Sequence, residues 1–401
     1  MRQRSLLLVL SVLFSALVLI YLGCGEQFSP FTPSGQLEPS EQVGAAKPTG
    51  AGKFVPGEIL VKFTSAAPDV QGEEIPRIRV RVVKVRPGDE QAAIATLKKR
   101  RDVEYAEVNG IVEASHTDGG TFVPNDTYYN AYQWNMKIID GPGAWYVTKG
   151  SSTVKIAILD TGIQSSHEDL TGKVVAAKNF TTSRTTDDKY GHGTHVAGIA
   201  AAVTNNSKGV AGAGVNCSLM NGKVLGDNGS GAYSWLINGI IWAADNGANV
   251  SNMSLSGSSE SQALLDAVNY AWGKGVVLVA AAGNNGNSTP VYPAFYDNVI
   301  AVAATDQNDN LASFSNFGTW VDVAAPGTSI LSAYIRYVPP YVFMSGTSMA
   351  APHVSGLAGL LASQGRSNVN IRAAIETTTD KAGSYPIANG RINAHKAVDA
   401  P

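Results

Sequence analysis

Three short motifs hold residues that could do chemistry together. Asp160 ends the apolar run VKIAILD (154–160). His192 and His195 stand three apart in GHGTHVAGIAAA (191–202). Ser348 lies in MSGTSMAAPHVSG (344–356). A carboxylate, an imidazole and a hydroxyl are the groups that acyl transfer through a serine requires: an orienting acid, a base and a nucleophile.

The two histidines admit other uses. A helical zinc pair reads H-E-x-x-H, with histidines at i and i+4 and a Glu as base. Here the spacing is i, i+3, and neither a Glu between them nor a third ligand nearby is evident, so zinc is not expected. His192 follows a glycine at the predicted start of a helix. The positive end of the helix dipole there is expected to lower its pKa and keep it neutral. Asp160 is the candidate to hold its tautomer. His195, one turn deeper and facing an Ala/Val run, is expected to pack.

Ser348 also falls at a predicted helix start, where free backbone N–H groups can stabilise an oxyanion. Pro352, four residues on, removes the donor that would pair with the Ser348 carbonyl. An N-cap is the ordinary use of such a serine. Asn284, in VVLVAAAGNNG (276–286), follows a buried strand and Gly283. Its amide suits a second oxyanion donor, although Asn-Asn-Gly is also strong turn chemistry.

The elements around these residues alternate. Apolar strands are predicted at 154–160, 215–225, 248–255, 276–282, 298–304 and 321–325. Amphipathic helices lie between several of them, as in SWLINGIIWAADNG and SQALLDAVNYAWGKG. That is the pattern of an α/β fold, a doubly wound, mostly parallel sheet with helices on both faces. Sites in such sheets gather at the carboxyl ends of the strands. Charged residues are only 15% and net charge is −2, so the chain is globular and no basic field invites nucleic acid.

Together the motifs ILDTGI, GHGTHVAG, AAAGN and GTSMAAPHVSG resemble the subtilisin-like serine proteases, in that family's Asp–His–Asn–Ser order, from about Phe122 to the C-terminus. The resemblance implies a catalytic triad of Asp160, His192 and Ser348, with Asn284 in the oxyanion hole. It implies peptide-bond hydrolysis by a monomer. An α/β-hydrolase esterase would instead carry G-x-S-x-G and the order Ser–Asp–His. A binding module on a dead subtilase and a metallohydrolase on His192 and His195 are the remaining rivals.

By the same resemblance, GSGAY (229–233) and SLSG (254–257) are strand edges that sandwich an extended polypeptide substrate. Gly229, Gly231, Ser254, Leu255, Ser256 and Gly257 are candidate contacts, with Ala282, Gly283 and Val291 around the first specificity pocket. Ser256 and Val291 stand where relatives carry smaller residues, so medium apolar side chains are expected before the scissile bond. AVTNNSKGV (202–210) resembles the family's strong Ca2+ loop. The implied ligands are the side chain of Asn206, the carbonyls of Val203, Lys208 and Val210, and the carboxylates of Asp126 and Asp169. A second calcium loop is not expected, because Asn179, Thr182 and Arg184 replace acids.

Residues 53–115 read as a small α+β unit resembling the ferredoxin-like propeptide that chaperones and inhibits subtilases. Its strands are GEILVKF, IRVRVVKV and VEYAEVNGIVEA, and its helix is DEQAAIATLKKR. Residues 116–121 are expected to be the processing connector ahead of a catalytic domain at 122–401. Residues 1–24 look like an export signal: Arg2 and Arg4 precede an apolar run from Leu6 to Leu22. Leu22-Gly23-Cys24 resembles a lipobox, with Tyr21 a departure, so a membrane tether through Cys24 is expected. Residues 25–52, rich in Pro, Ser and Gly, read as a flexible linker. The protein is therefore expected outside the cell or on its surface.

Overall fold

The computed structural model describes residues 54–64, 69–111, 120–381 and 384–400. The signal, the Cys24 tether and nearly all of the linker and processing connector lie outside them. No helix among the described residues is long and apolar enough to cross a membrane. The chain divides into two units after Ser115.

The first unit is a four-stranded antiparallel sheet. Its strands are β1 (Phe54–Phe63), β2 (Glu73–Ile75), β3 (Val80–Lys84) and β4 (Val103–Gly110), in the order β2-β3-β1-β4. One helix, α1 (Glu90–Leu97), packs on it. Alternation in β1 buries Ile59, Val61 and Phe63 against Ile94 of that helix. The sheet order is the ferredoxin-like one, and β2 is an addition to the sequence-based expectation.

The second unit holds three short helices, α2 (Tyr129–Tyr132), α3 (Trp134–Ile138) and α4 (Gly141–Val147). Then come β5 (Lys155–Asp160), β6 (Val174–Asn179), α5 (His192–Ala201), β7 (Ser218–Lys223), α6 (Tyr233–Asp245) and β8 (Val250–Met253). They are followed by α7 (Gln262–Gly273), β9 (Val277–Ala281), β10 (Ile300–Thr305) and β11 (Val323–Pro326). A hairpin of β12 (Ile330–Ala333) and β13 (Tyr341–Met344) leads to α8 (Thr347–Ser363), α9 (Asn368–Thr377) and α10 (Ala394–Asp399). Seven strands form one parallel sheet, β11-β10-β9-β8-β5-β7-β6. Along β5, Ile156 and Ile158 enter one core with α5 and α8, while Ala157 and Leu159 enter the other with α6 and α7. Covering on both faces is what makes the central strands continuously apolar. The edge strand β6 was not anticipated, because half of it is exposed and its sequence, VVAAKN, is mixed.

Helix α8 runs through the first core almost wholly buried. It passes close to α5 because small residues face each other. A Cβ on Gly356 would lie 2.4 Å from the Ala213 Cβ and 2.8 Å from the Ala200 carbonyl. Gly356→Ala is therefore expected to destabilise the unit by about 1–3 kcal/mol through overpacking. Urea unfolding in a Ser348→Ala background, which limits self-digestion, measures it. An unchanged midpoint would contradict the close packing.

Candidate active site

Strand β5 lies where the strand order reverses: the chain runs out to β6, returns through β7, and then crosses to β8 on the other side. The carboxyl end of such a strand opens a crevice. Asp160 occupies that end, fully buried. Its Oδ1 accepts from the Thr161 N–H at 2.7 Å and from His192 Nδ1 at 2.8 Å. Oδ2 is buried without a partner. A proton on Nδ1 leaves Nε2 of the imidazole as the acceptor.

His192 opens α5, and both neighbours must be glycine. Gly191 has φ 106°, and the Tyr334 ring lies 2.5 Å from where its Cβ would be. A Cβ on Gly193 would lie 2.2 Å from the Gly162 carbonyl. The imidazole does not follow the expectation from the helix dipole. Burial does push its pKa down, but the charge of Asp160 and its hydrogen bond, with Asp188 adding, outweigh burial and raise it above the ordinary value.

Asp188 is a residue the sequence reading did not place. It is buried, and its Oδ1 accepts from Thr161 Oγ1 (2.9 Å), Tyr190 N–H (3.0 Å) and Gly191 N–H (2.8 Å). Its Oδ2 accepts from the Thr194 N–H (2.9 Å) and hydroxyl (2.7 Å). Five donors fix the start of α5 relative to the Asp160 turn. A D-x-x-G-H string was the available signal, because a carboxylate there can cap the helix. Lys223, at the end of β7, was missed as well. Its buried ammonium donates to the Thr161 carbonyl and pairs with Asp227 at 3.0 Å.

His195 is a core residue. Its Nε2 contacts the Ile330 and Val342 carbonyls at 3.1 Å each, and burial pushes its pKa down to about 3. It is neutral and faces the hairpin. Among the described residues no group of three or more His, Cys, Asp or Glu is placed to hold a metal. The free thiol of Cys217 is buried and pushed up to about 11, hence inert.

Ser348 is the second residue of α8. Pro352 leaves the Ser348 carbonyl without its helical donor, and the Ser254 hydroxyl supplies one at 2.8 Å. Ser348 Oγ in turn donates to the Ser254 carbonyl at 3.2 Å. The serine–histidine hydrogen bond is thus the one link of the expected triad that this structure does not make. Asn284 is tied down by its carbonyl oxygen, which accepts from the Thr347 N–H (2.8 Å) and hydroxyl (2.9 Å). The Thr347 hydroxyl also accepts from the Gly283 N–H at 3.1 Å. That frees the Asn284 amide: its Nδ2 and the Ser348 N lie 3.5 and 3.6 Å from one point, the Cβ position of Gly346.

A cleft of about 380 Å³ adjoins His192. Gly229, Gly231, Ser254, Leu255, Ser256 and Gly257 line it, with Tyr190, Leu225 and Tyr233. Gly257 also pairs with Tyr292 through two backbone hydrogen bonds of 2.7 and 2.9 Å, which fixes that edge. Ala282, Gly283 and Val291 lie off this lining. Ala282 is fully buried, and Val291 packs beside Gly283.

The expected calcium residues also converge. Asp126 Oδ2 accepts from the Asn205 N–H (2.7 Å), while its Oδ1 is buried and unpaired. Asp169 accepts from Asn206 Nδ2 (2.9 Å), the Val210 N–H (2.8 Å) and the Tyr341 hydroxyl (3.0 Å). The Asp169 carbonyl receives the Val203 N–H at 2.7 Å, and Asn206 Oδ1 receives the Lys208 N–H at 2.8 Å. Burial pushes Asp126 up to about 6 and also raises Asp169. Two desolvated carboxylates with one orphaned oxygen fit a hard cation among oxygen ligands.

A strand-end acid on an imidazole, with a serine at a helix start joined to the same cleft through Ser254, has in a parallel α/β sheet the layout of a serine hydrolase. Comparison with known proteins narrows it. Residues 151–393 match the subtilase family (peptidase S8), and residues 40–109 match the fervidolysin N-terminal prodomain. The thermophilic serine proteinase of Bacillus sp. (strain AK1) is 47% identical over 86% of this chain and 88% of its own length. Thermitase of Thermoactinomyces vulgaris is 55% identical over 69% of this chain and 99% of its own. A solved protease of Pseudoalteromonas arctica PAMC 21717 superposes with a TM-score of 0.63 at 31% identity, over 69% of this chain and 99% of that one. The chain belongs to the subtilase family: it is a serine endopeptidase carrying an N-terminal prodomain.

A raised imidazole pKa keeps His192 protonated, and unable to accept a proton, to a higher pH than usual. The acid limb of kcat/KM on an anilide substrate is therefore expected above 6.5, the ordinary histidine value. Asp188→Asn removes a charge that favours the imidazolium, so the limb should move to lower pH. A limb that stays put or moves up would show that Asp188 only builds the loop.

Proposed function

We propose that Asp160, His192 and Ser348 act as the triad of this endopeptidase, with Asn284 and the Ser348 N–H as its oxyanion hole. The observation that carries the reading is the 2.8 Å bond from His192 Nδ1 to a fully buried carboxylate. In the reaction Ser348 Oγ turns from the Ser254 carbonyl to Nε2 of His192. It gives up its proton there as it attacks the peptide carbonyl. The oxyanion falls between Asn284 Nδ2 and the Ser348 N–H. The imidazolium, held by Asp160, then protonates the leaving amine. Water attacks the acyl-enzyme by the same route. The substrate backbone adds as a strand between 229–231 and 254–257, with medium apolar side chains preferred before the scissile bond.

We further infer a zymogen with domain limits as read from the sequence: signal 1–24, linker 25–52, propeptide 53–115, connector 116–121 and catalytic domain 122–401. It is exported, tethered through Cys24 before cleavage, and monomeric. In a Ser348→Ala variant the propeptide is expected to stay attached, while the wild type shows a new N-terminus between about Ala114 and Phe122. N-terminal sequencing reads both. Identical processing in the two would assign the cleavage to another protease.

Calcium is proposed at Asp126, Asp169, Asn206 and the carbonyls of Val203, Lys208 and Val210, where it would neutralise the two carboxylates and brace the loop after α5. Without the cation, the Asp126 contribution to stability is present below pH about 4 and lost as pH rises through about 6, because the folded state favours its protonated form. Calcium reverses that penalty. A chelator is expected to lower Tm strongly at pH 8 and far less at pH 5. An equal Tm with and without chelator at pH 8 contradicts the site.

A further inference from the structure

We propose that Tyr334 and Tyr337 form an aromatic shelf that binds a large apolar side chain of the substrate on the leaving-group side of the scissile bond. The proposal rests on the triad reading and extends it to the part of the polypeptide that departs.

The shelf grows from the segment between β12 and β13. Tyr334 and Tyr337 stand side by side, with ring centroids 5.5 Å apart and planes at 43°. Tyr337 is 58% exposed, Tyr190 is 49% exposed, and Val338 beside them is almost fully exposed. Such grouping of large apolar side chains on a surface marks a contact site more often than chance.

The segment is held to the loop that carries His192. The Tyr334 hydroxyl donates to the Tyr190 carbonyl at 3.2 Å, and the Arg336 guanidinium donates to the Lys189 carbonyl. Its own base is closed by the Tyr334 N–H on the Pro340 carbonyl at 2.8 Å. The Tyr334 ring covers Gly191, next to the base, at the distance that forbids a side chain there. The rings are therefore pre-positioned, which reduces the ordering cost of binding.

Continuity with the cleft names the occupant. Tyr190 lines the same cleft as Gly229, Ser254 and His192, with its ring against Gly229, whereas Tyr334, Arg336 and Tyr337 do not line it and join it through the Tyr190 carbonyl. A polypeptide whose acyl part fills the strand edges must send its leaving amine past the His192 ring, which protonates it. The next residues then pass Gly191, which the Tyr334 ring covers. Tilted rings with open faces and edges suit Tyr, Phe or Trp, which gain from edge-to-face contact beyond simple burial.

The test uses the processed wild-type enzyme and Tyr337→Ala, with Tyr337→Phe as the conservative control. Three substrates share one sequence up to the scissile bond. One is a chromogenic anilide ending there, one an internally quenched peptide with two tyrosines after the bond, and one the same peptide with two glycines. Tyr337→Ala is expected to lower kcat/KM about three- to tenfold on the tyrosine peptide and to leave the other two within twofold. Tyr337→Phe should retain the wild-type preference. Equal loss on both peptides, or on the anilide, overturns the shelf as a binding site. So does unchanged peptide cleavage with weaker inhibition by added free prodomain, which would make the prodomain its occupant. A wild type that cleaves none of the three contradicts the triad reading itself, whereas one that cleaves all three without preferring tyrosine overturns the shelf alone.

Discussion

A buried carboxylate is costly unless its charge is answered, and the region around β5 is organised by that constraint. Asp160 has two donors on one oxygen and none on the other. The deficit favours a positive charge on His192, so the same contact that orients the ring raises its pKa. The surroundings keep the contact dry and fixed. Glycines on both sides of His192 allow close approach of Gly162 and Tyr334. Asp188 caps α5, and Lys223 braces the turn after Asp160 from behind. Each adds rigidity to one hydrogen bond.

Ser348 depends on a second compensated defect. Pro352 in α8 costs a backbone hydrogen bond inside a buried helix, and the Ser254 hydroxyl replaces it. The replacement comes from the strand edge on which a substrate would pair. Ser254 Oγ is itself positioned by Asn252 at 2.9 Å, and Asn252 by Ser355 of the same helix at 2.8 Å. The 254–257 edge and Ser348 are thereby one hydrogen-bonded unit. Thr347 does the same for Asn284, fixing its carbonyl oxygen so that only the amide faces outward. Preorganised donors of this kind need no rearrangement when charge develops.

How much of this was legible follows from range. Asp160, Asn284 and Ser348 could be read because each ends a recognisable apolar strand or begins a helix, and the parallel sheet followed from the alternation of such segments. Asp188, Lys223, Thr347 and the helper role of Ser254 could not. Their significance lies in contacts between groups 27 to 94 residues apart, and apart from the D-x-x-G-H string at Asp188 nothing in their own neighbourhood marks them. The sign of the His192 pKa was misread for the same reason. The helix start is visible in the local sequence, whereas the completeness of Asp160 burial is not. The strands β6 and β13 lacked a clear period because each is partly exposed, and β12 because it is a wholly buried run of only four residues.

The proposed mechanism stands on attack by Ser348. Mass spectrometry after treatment with a serine-directed peptidyl phosphonate tests it most directly. One equivalent of phosphonate is expected on the peptide containing Ser348, with loss of activity in proportion, and an Asp160→Ala or His192→Ala protein should not be labelled at the same rate. Full labelling at another residue, or proteolysis that persists with Ser348 unmodified, would contradict it.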